Sequence, residues 1–143
     1  MKILTMLILT LFMGKGCEEE TQIATQNTIL EYTRNTRGFY EKITIRNQEA
    51  TISKDRSGED KSTPVKISDA DWRALTEAFT AVNLDEVANM KAPTEKRFYD
   101  GAAMADLKIT YNDKVYQSQT FDHGHPPAGI EKLVNKITAF STK

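Results

Sequence analysis

Three short segments after Asn27 alternate apolar with polar residues: TILEYT at 28–33, YEKITIRN at 40–47 and EATISK at 49–54. Each is rich in β-branched and aromatic side chains at every second position, the period of a strand with one face buried. Ile43 and Ile45 share a face on this reading. The tight link Asn47–Gln48 makes a hairpin of the second and third segments, and NTRGFY at 35–40 joins the first two as a loop. A polar, turn-rich stretch, Asp55 to Pro64, then ends the strand pattern.

Beyond it the period changes to that of a helix. Ser68 has the chemistry of an N-cap, Asp69 and Asp71 place acidic groups in a first turn, and Trp72, Leu75, Phe79 and Val82 follow as one apolar stripe. Trp72 is in phase with that stripe and is expected to pack. After a less regular stretch, 83–98, a second pair of strands is predicted at 105–111 and 114–121, linked by Asn112 and Asp113, which tolerate the positive φ of a primed turn. The final segment opens with Pro126 and Pro127 and carries Ile130, Leu133, Val134, Ile137 and Phe140 on one helical face. The predicted order is βββαββα. It implies an α+β domain: an antiparallel sheet of about five strands with both helices on one face.

The start of the chain follows neither period. Lys2 precedes 11 apolar-dominated residues, Ile3 to Met13, and Gly14 and Gly16 put small residues around the approach to Cys17. This is the layout of an export signal with cleavage before Cys17. The run is too short to span ~30 Å of hydrocarbon, which takes about 20 apolar residues. A surface helix would need a polar face that 3–13 lacks. Three parts are therefore expected: a signal peptide at 1–16, a tether at 17–27 beginning with Cys17, and one domain at 28–143. The segment Glu18 to Asn27 is polar and aperiodic, with an extended reach of at most ~35 Å.

Composition narrows the partners. With 143 residues, 39% apolar and 27% charged, the chain fits one globular domain. Loss of Lys2 and Lys15 with residues 1–16 takes the formal net charge from −1 to −3. A chain of that sign offers no general attraction to nucleic acid, whose binding rests on Lys and Arg at phosphates. The single cysteine forms no internal disulfide and no multi-thiolate zinc site, so its place in the chain must account for it.

The stretch from Ile3 to Cys17 resembles a bacterial lipoprotein signal, with Gly14 and Lys15 departing from the usual Leu and small apolar residue. The resemblance implies that Cys17 is acylated and becomes the mature N-terminus, anchoring the domain in a membrane; ordinary cleavage at the same bond would instead release a soluble secreted protein. Glu18 to Glu20 resembles the acidic signal that follows the cysteine in surface-exposed lipoproteins of the Bacteroidota type, and it also reads as a solvated linker. The motifs Asp100-Gly101-Ala102 before a hairpin and Pro126-Pro127 before a closing helix are similar to those of small envelope lipoprotein domains of that type. That family brings an expectation of fold and envelope location, outer membrane above all, and no assigned activity.

Candidate chemistry is confined to FDHGHPP at 121–127. Asp122, His123 and His125 carry a carboxylate and two imidazoles that suit zinc, copper or nickel, with Asp100 as a distant further ligand. The alternative is a loop in which Asp122 accepts backbone N–H groups, Gly124 supplies an unusual φ, and the histidines face solvent. No catalytic residue is assigned: no serine stands in a G-x-S-x-G elbow, and no P-loop, G-x-G-x-x-G or H-E-x-x-H run occurs. The sequence favours a non-enzymatic domain that binds an envelope protein or component, with a metal-binding protein as the alternative.

Overall fold

The computed structural model describes residues 27–142; the apolar segment, Cys17 and the tether up to residue 26 lie outside the described residues. The elements are β1 (Thr28–Asn35), β2 (Tyr40–Arg46), β3 (Glu49–Ser53), β4 (Val65–Lys66), α1 (Asp69–Thr80), β5 (Met104–Tyr111), β6 (Lys114–Gln117), β7 (Phe121–Asp122) and α2 (Glu131–Thr138). They form one antiparallel sheet in the order β4-β3-β2-β1-β5-β6, with β7 paired to the start of β5. The α+β arrangement matches the expectation. The count differs by the two-residue strands β4 and β7, too short to show a period in sequence.

Both hairpin turns follow from their residues. Asn47 and Gln48 have φ of 51° and 60°, and Asn112 and Asp113 have φ of 48° and 65°. Two consecutive left-handed residues make a primed turn, whose twist matches that of the flanking strands.

One face of the sheet is the core. Leu30 and Tyr32 on β1, Ile43 and Ile45 on β2, and Leu107 and Ile109 on β5 are buried there. Against them pack Leu75 and Phe79 of α1 and Leu133, Val134 and Ile137 of α2. Each such side chain contributes about 1.5–3 kcal/mol through removal from water. The Ser68 hydroxyl accepts from the Asp71 N–H at 3.2 Å, the cap read from the sequence. Trp72 is partly buried against the core, as expected. The prolines precede a 3₁₀ turn, Ala128–Ile130, so α2 proper begins at Glu131. No helix among the described residues is long and apolar enough to cross a membrane.

The other face is solvated. Glu31 lies between Lys42, at 2.9 Å, and Lys108, at 3.6 Å, with threonines around them.

The segment read as a single strand at 114–121 is interrupted. Lys108 faces Gln117 and Ala105 faces Phe121, so two residues of β5 stand against Ser118, Gln119 and Thr120. This is a β-bulge. Ser118 keeps the ladder closed across it: its N–H donates to the Leu107 carbonyl at 2.8 Å, and its hydroxyl accepts the Leu107 N–H at 2.9 Å in place of a carbonyl. One extra residue inverts the alternation beyond it. Phe121 and His123 consequently point to the core side and Asp122 to the opposite side.

Candidate functional site

The end of the sheet where β1 stops and β5 begins is built by three connections. They are the turn 36–39, the segment 94–103 with its 3₁₀ turn Lys96–Tyr99, and the turn that follows β7. Two hydrogen-bonded networks hold them together.

The first is centred on Asp122, which is fully buried. Its Oδ2 accepts from the Thr94 hydroxyl at 2.5 Å and from the Lys96 N–H at 2.7 Å. Its Oδ1 accepts from the Arg97 N–H at 3.0 Å and from Arg97 Nη1 at 3.1 Å. Burial by itself would raise the pKa of this carboxyl; the four donors outweigh it and hold the group well below the usual carboxylate range. Arg97 Nη1 also donates to the Thr94 carbonyl at 2.9 Å, closing the segment on itself. Asp122 is thus the anchor of 94–97.

The second network lies on the core side of the sheet. Arg34 and Glu41 face each other across β1 and β2, and Arg34 Nε donates to Glu41 Oε1 at 2.9 Å. Arg34 Nη1 then reaches His123 Nε2 at 2.9 Å, and the Tyr32 hydroxyl lies 2.8 Å from His123 Nδ1. A guanidinium only donates, so Nε2 must accept. The neutral ring then carries its proton on Nδ1 and donates it to Tyr32 Oη. Burial lowers the pKa of His123, the Arg34 charge lowers it further, and Glu41 opposes both. Burial pushes the Tyr32 hydroxyl up.

A measurable pH dependence follows. A ring whose folded-state pKa is depressed stabilises the fold fully above its unfolded value, about 6.5, and ceases to as pH falls through the folded value. Urea midpoints should fall between about pH 7.5 and pH 5, and His123→Gln should flatten that slope. An unchanged slope in the variant would assign the titration elsewhere. The other histidine, His125, is exposed.

The four residues read from the sequence as metal ligands are not brought to one point. Asp122 ends β7 and His123 opens the turn after it, the two side chains face opposite ways, and each is fully engaged by donors or partners. His125 closes the turn through its N–H, which donates to the Asp122 carbonyl at 2.9 Å, around Gly124 at φ 90°. Asp100 is exposed and adopts the left-handed conformation that caps the Lys96–Tyr99 turn. Among the described residues no group of three or more His, Cys, Asp and Glu side chains is placed to hold a metal ion. The Asp-Gly-Ala motif has a local role: a Cβ on Gly101 would meet the Tyr99 ring at 2.8 Å.

Beside these networks lies a groove of about 600 Å³ between the 35–38 turn and the 97–104 segment, lined by Arg37, Gly38, Arg97, Phe98, Asp100 and Met104 among others. Phe98 in its lining is 72% exposed, as is the adjacent Tyr99. The guanidinium carbon of Arg97 stacks 4.4 Å from the centre of the Phe98 ring. Neither the groove nor Arg34 and Glu41 stands out in the sequence, and Lys96-Arg97 reads there as a solvated face, whereas the Arg97 side chain is largely buried against Asp122. A signal for the first pair exists: Arg34 is in phase with Leu30 and Tyr32, and Glu41 with Ile43 and Ile45, so two opposite charges occupy core-face positions.

Comparison of the chain with protein-family models, with curated proteins and with solved structures returns no match.

Proposed function

We propose that the protein is a lipid-anchored cell-envelope protein whose folded part is a non-enzymatic binding domain held on an acidic tether. The groove carries this reading. Its lining leaves Phe98 in water, while Asp122, His123, Glu41 and Tyr32 behind it are engaged in holding the surrounding turns. Large aromatic side chains in a concave, partly polar surface are the ordinary makings of a recognition site.

The anchor rests on Ile3 to Met13, the small residues Gly14 and Gly16, and Cys17. Each buried acyl CH₂ contributes about 0.8 kcal/mol, and stable attachment takes more than one chain. A multiply acylated Cys17 would hold a chain of this acidity at a bilayer without basic residues. Cells producing the protein in the presence of radiolabelled palmitate should show label on it in the membrane fraction, and Cys17→Ser should abolish both label and membrane association. An unlabelled wild-type protein recovered from the medium with a free thiol would remove the anchor from the proposal.

A further inference from the structure

The groove end of the sheet gathers guanidinium groups and aromatic rings. Arg34 stacks 5.1 Å from the Phe39 ring centre and Arg56 5.5 Å from that of Tyr40, in addition to Arg97 on Phe98. Four of the six large apolar side chains left exposed among the described residues, Phe39, Phe98, Tyr99 and Met104, lie at this end. Aromatic residues, Met and Arg are the types enriched where proteins meet. Strand addition is disfavoured elsewhere: β4 has two residues and follows Pro64, and β6 has four, begins with Lys114 and ends at the bulge.

The Arg97 guanidinium is organised before any ligand arrives. Asp122 and the Thr94 carbonyl fix Arg97 through Nη1, and its Nε and Nη2 hydrogens have no partner among the described residues. Arg37, exposed on the facing wall, has no carboxylate within ion-pair distance among the described residues. A guanidinium fork matches a planar carboxylate, and a pre-fixed one loses little rotamer freedom on binding. A doubly charged phosphate fits less well. The charge of Arg97 is already matched by Asp122, and Asp100 adds another carboxylate to the lining.

We propose that the groove receives an extended segment of a partner protein carrying one carboxylate for Arg37 and Arg97 and a neighbouring apolar side chain for Phe98 and Met104. This rests on the binding-domain reading and goes further by naming the chemistry of the partner.

The test uses the detergent-solubilised full-length protein and fluorescein-labelled peptides built around Ser-Glu-Phe-Ser, read by anisotropy. Counterparts replace Glu by Gln, Lys or phosphoserine, and Phe by Ala. The Glu-Phe peptide should bind about tenfold more tightly than the Lys peptide, a difference of about 1.4 kcal/mol. Arg37→Gln should erase most of that preference, and Phe98→Ala should weaken every peptide. Both positions are exposed or flank open space, and circular dichroism checks that the variants fold. Equal binding of all charge variants, lost in Phe98→Ala, would overturn the carboxylate assignment while leaving the binding reading standing. Tighter binding of the phosphoserine peptide would do the same. No binding by any peptide, or binding indifferent to both substitutions, would overturn the groove as the site altogether.

Discussion

Asp122→Ala should destabilise the domain by about 3–5 kcal/mol, the cost typical of removing one partner from a buried ion pair. The loss strands more than Arg97. The Lys96 and Arg97 N–H groups and the Thr94 hydroxyl lose their acceptor in the same step, and orphaned buried donors retain the full penalty of leaving water. Against a total stability of about 5–15 kcal/mol for a domain of this kind, that is a large fraction. Arg97→Ala should cost less, because Asp122 would keep three of its four donors. Urea unfolding of the two single variants and the double variant measures the coupling. Hydrogen exchange should show lost protection at Lys96 and Arg97. An Asp122→Ala cost below about 0.5 kcal/mol, the level of an ordinary surface change, would mean that 94–97 is held by something other than this carboxylate.

Phe121→Ala should have an effect of similar size, about 3–5 kcal/mol, through a different cause. The ring is completely buried, with its centre 6.2 Å from that of Tyr32. Truncation leaves a cavity beneath β7, which ends at Asp122 and leads into His123, so it removes both transfer free energy and the support of both networks. Phe121→Leu keeps most of the volume and should cost less than about 1.5 kcal/mol once repacked. If the alanine and leucine variants unfold at the same urea concentration, packing at this position is not what holds β7.

The elements with a clear period were legible in the sequence, and those without one were not. The strands carrying Ile43, Ile45, Leu107 and Ile109 alternate over enough residues to show their buried face, and Asn112–Asp113 identifies its turn chemically. β4 and β7 have two residues each, a single pleat repeat in which no alternation can show, and the segment 83–99 is organised by 3₁₀ turns that leave no lasting stripe. The site was harder to read for a physical reason. FDHGHPP holds residue types that bind metals, yet consecutive residues of extended chain face opposite ways, so adjacency in sequence separates Asp122, at the end of β7, from His123, at the start of the turn. Their partners, Arg97 at one side and Arg34 at the other, come from 25 and 89 positions away. Only the register of Arg34 against Glu41 hinted at the second network, and only after a hairpin was assumed.

The odd residue among Ser118 to Thr120 has a consequence for how the gene can drift. Opposite residues of an antiparallel ladder share a face, so with one codon fewer there the pairing would run unbroken from Lys108–Gln117, the phenylalanine would still stand opposite Ala105 on the buried side, and the aspartate would still stand opposite Met104. Homologous chains one residue shorter at that point should therefore keep the phenylalanine inside and the aspartate on the opposite side.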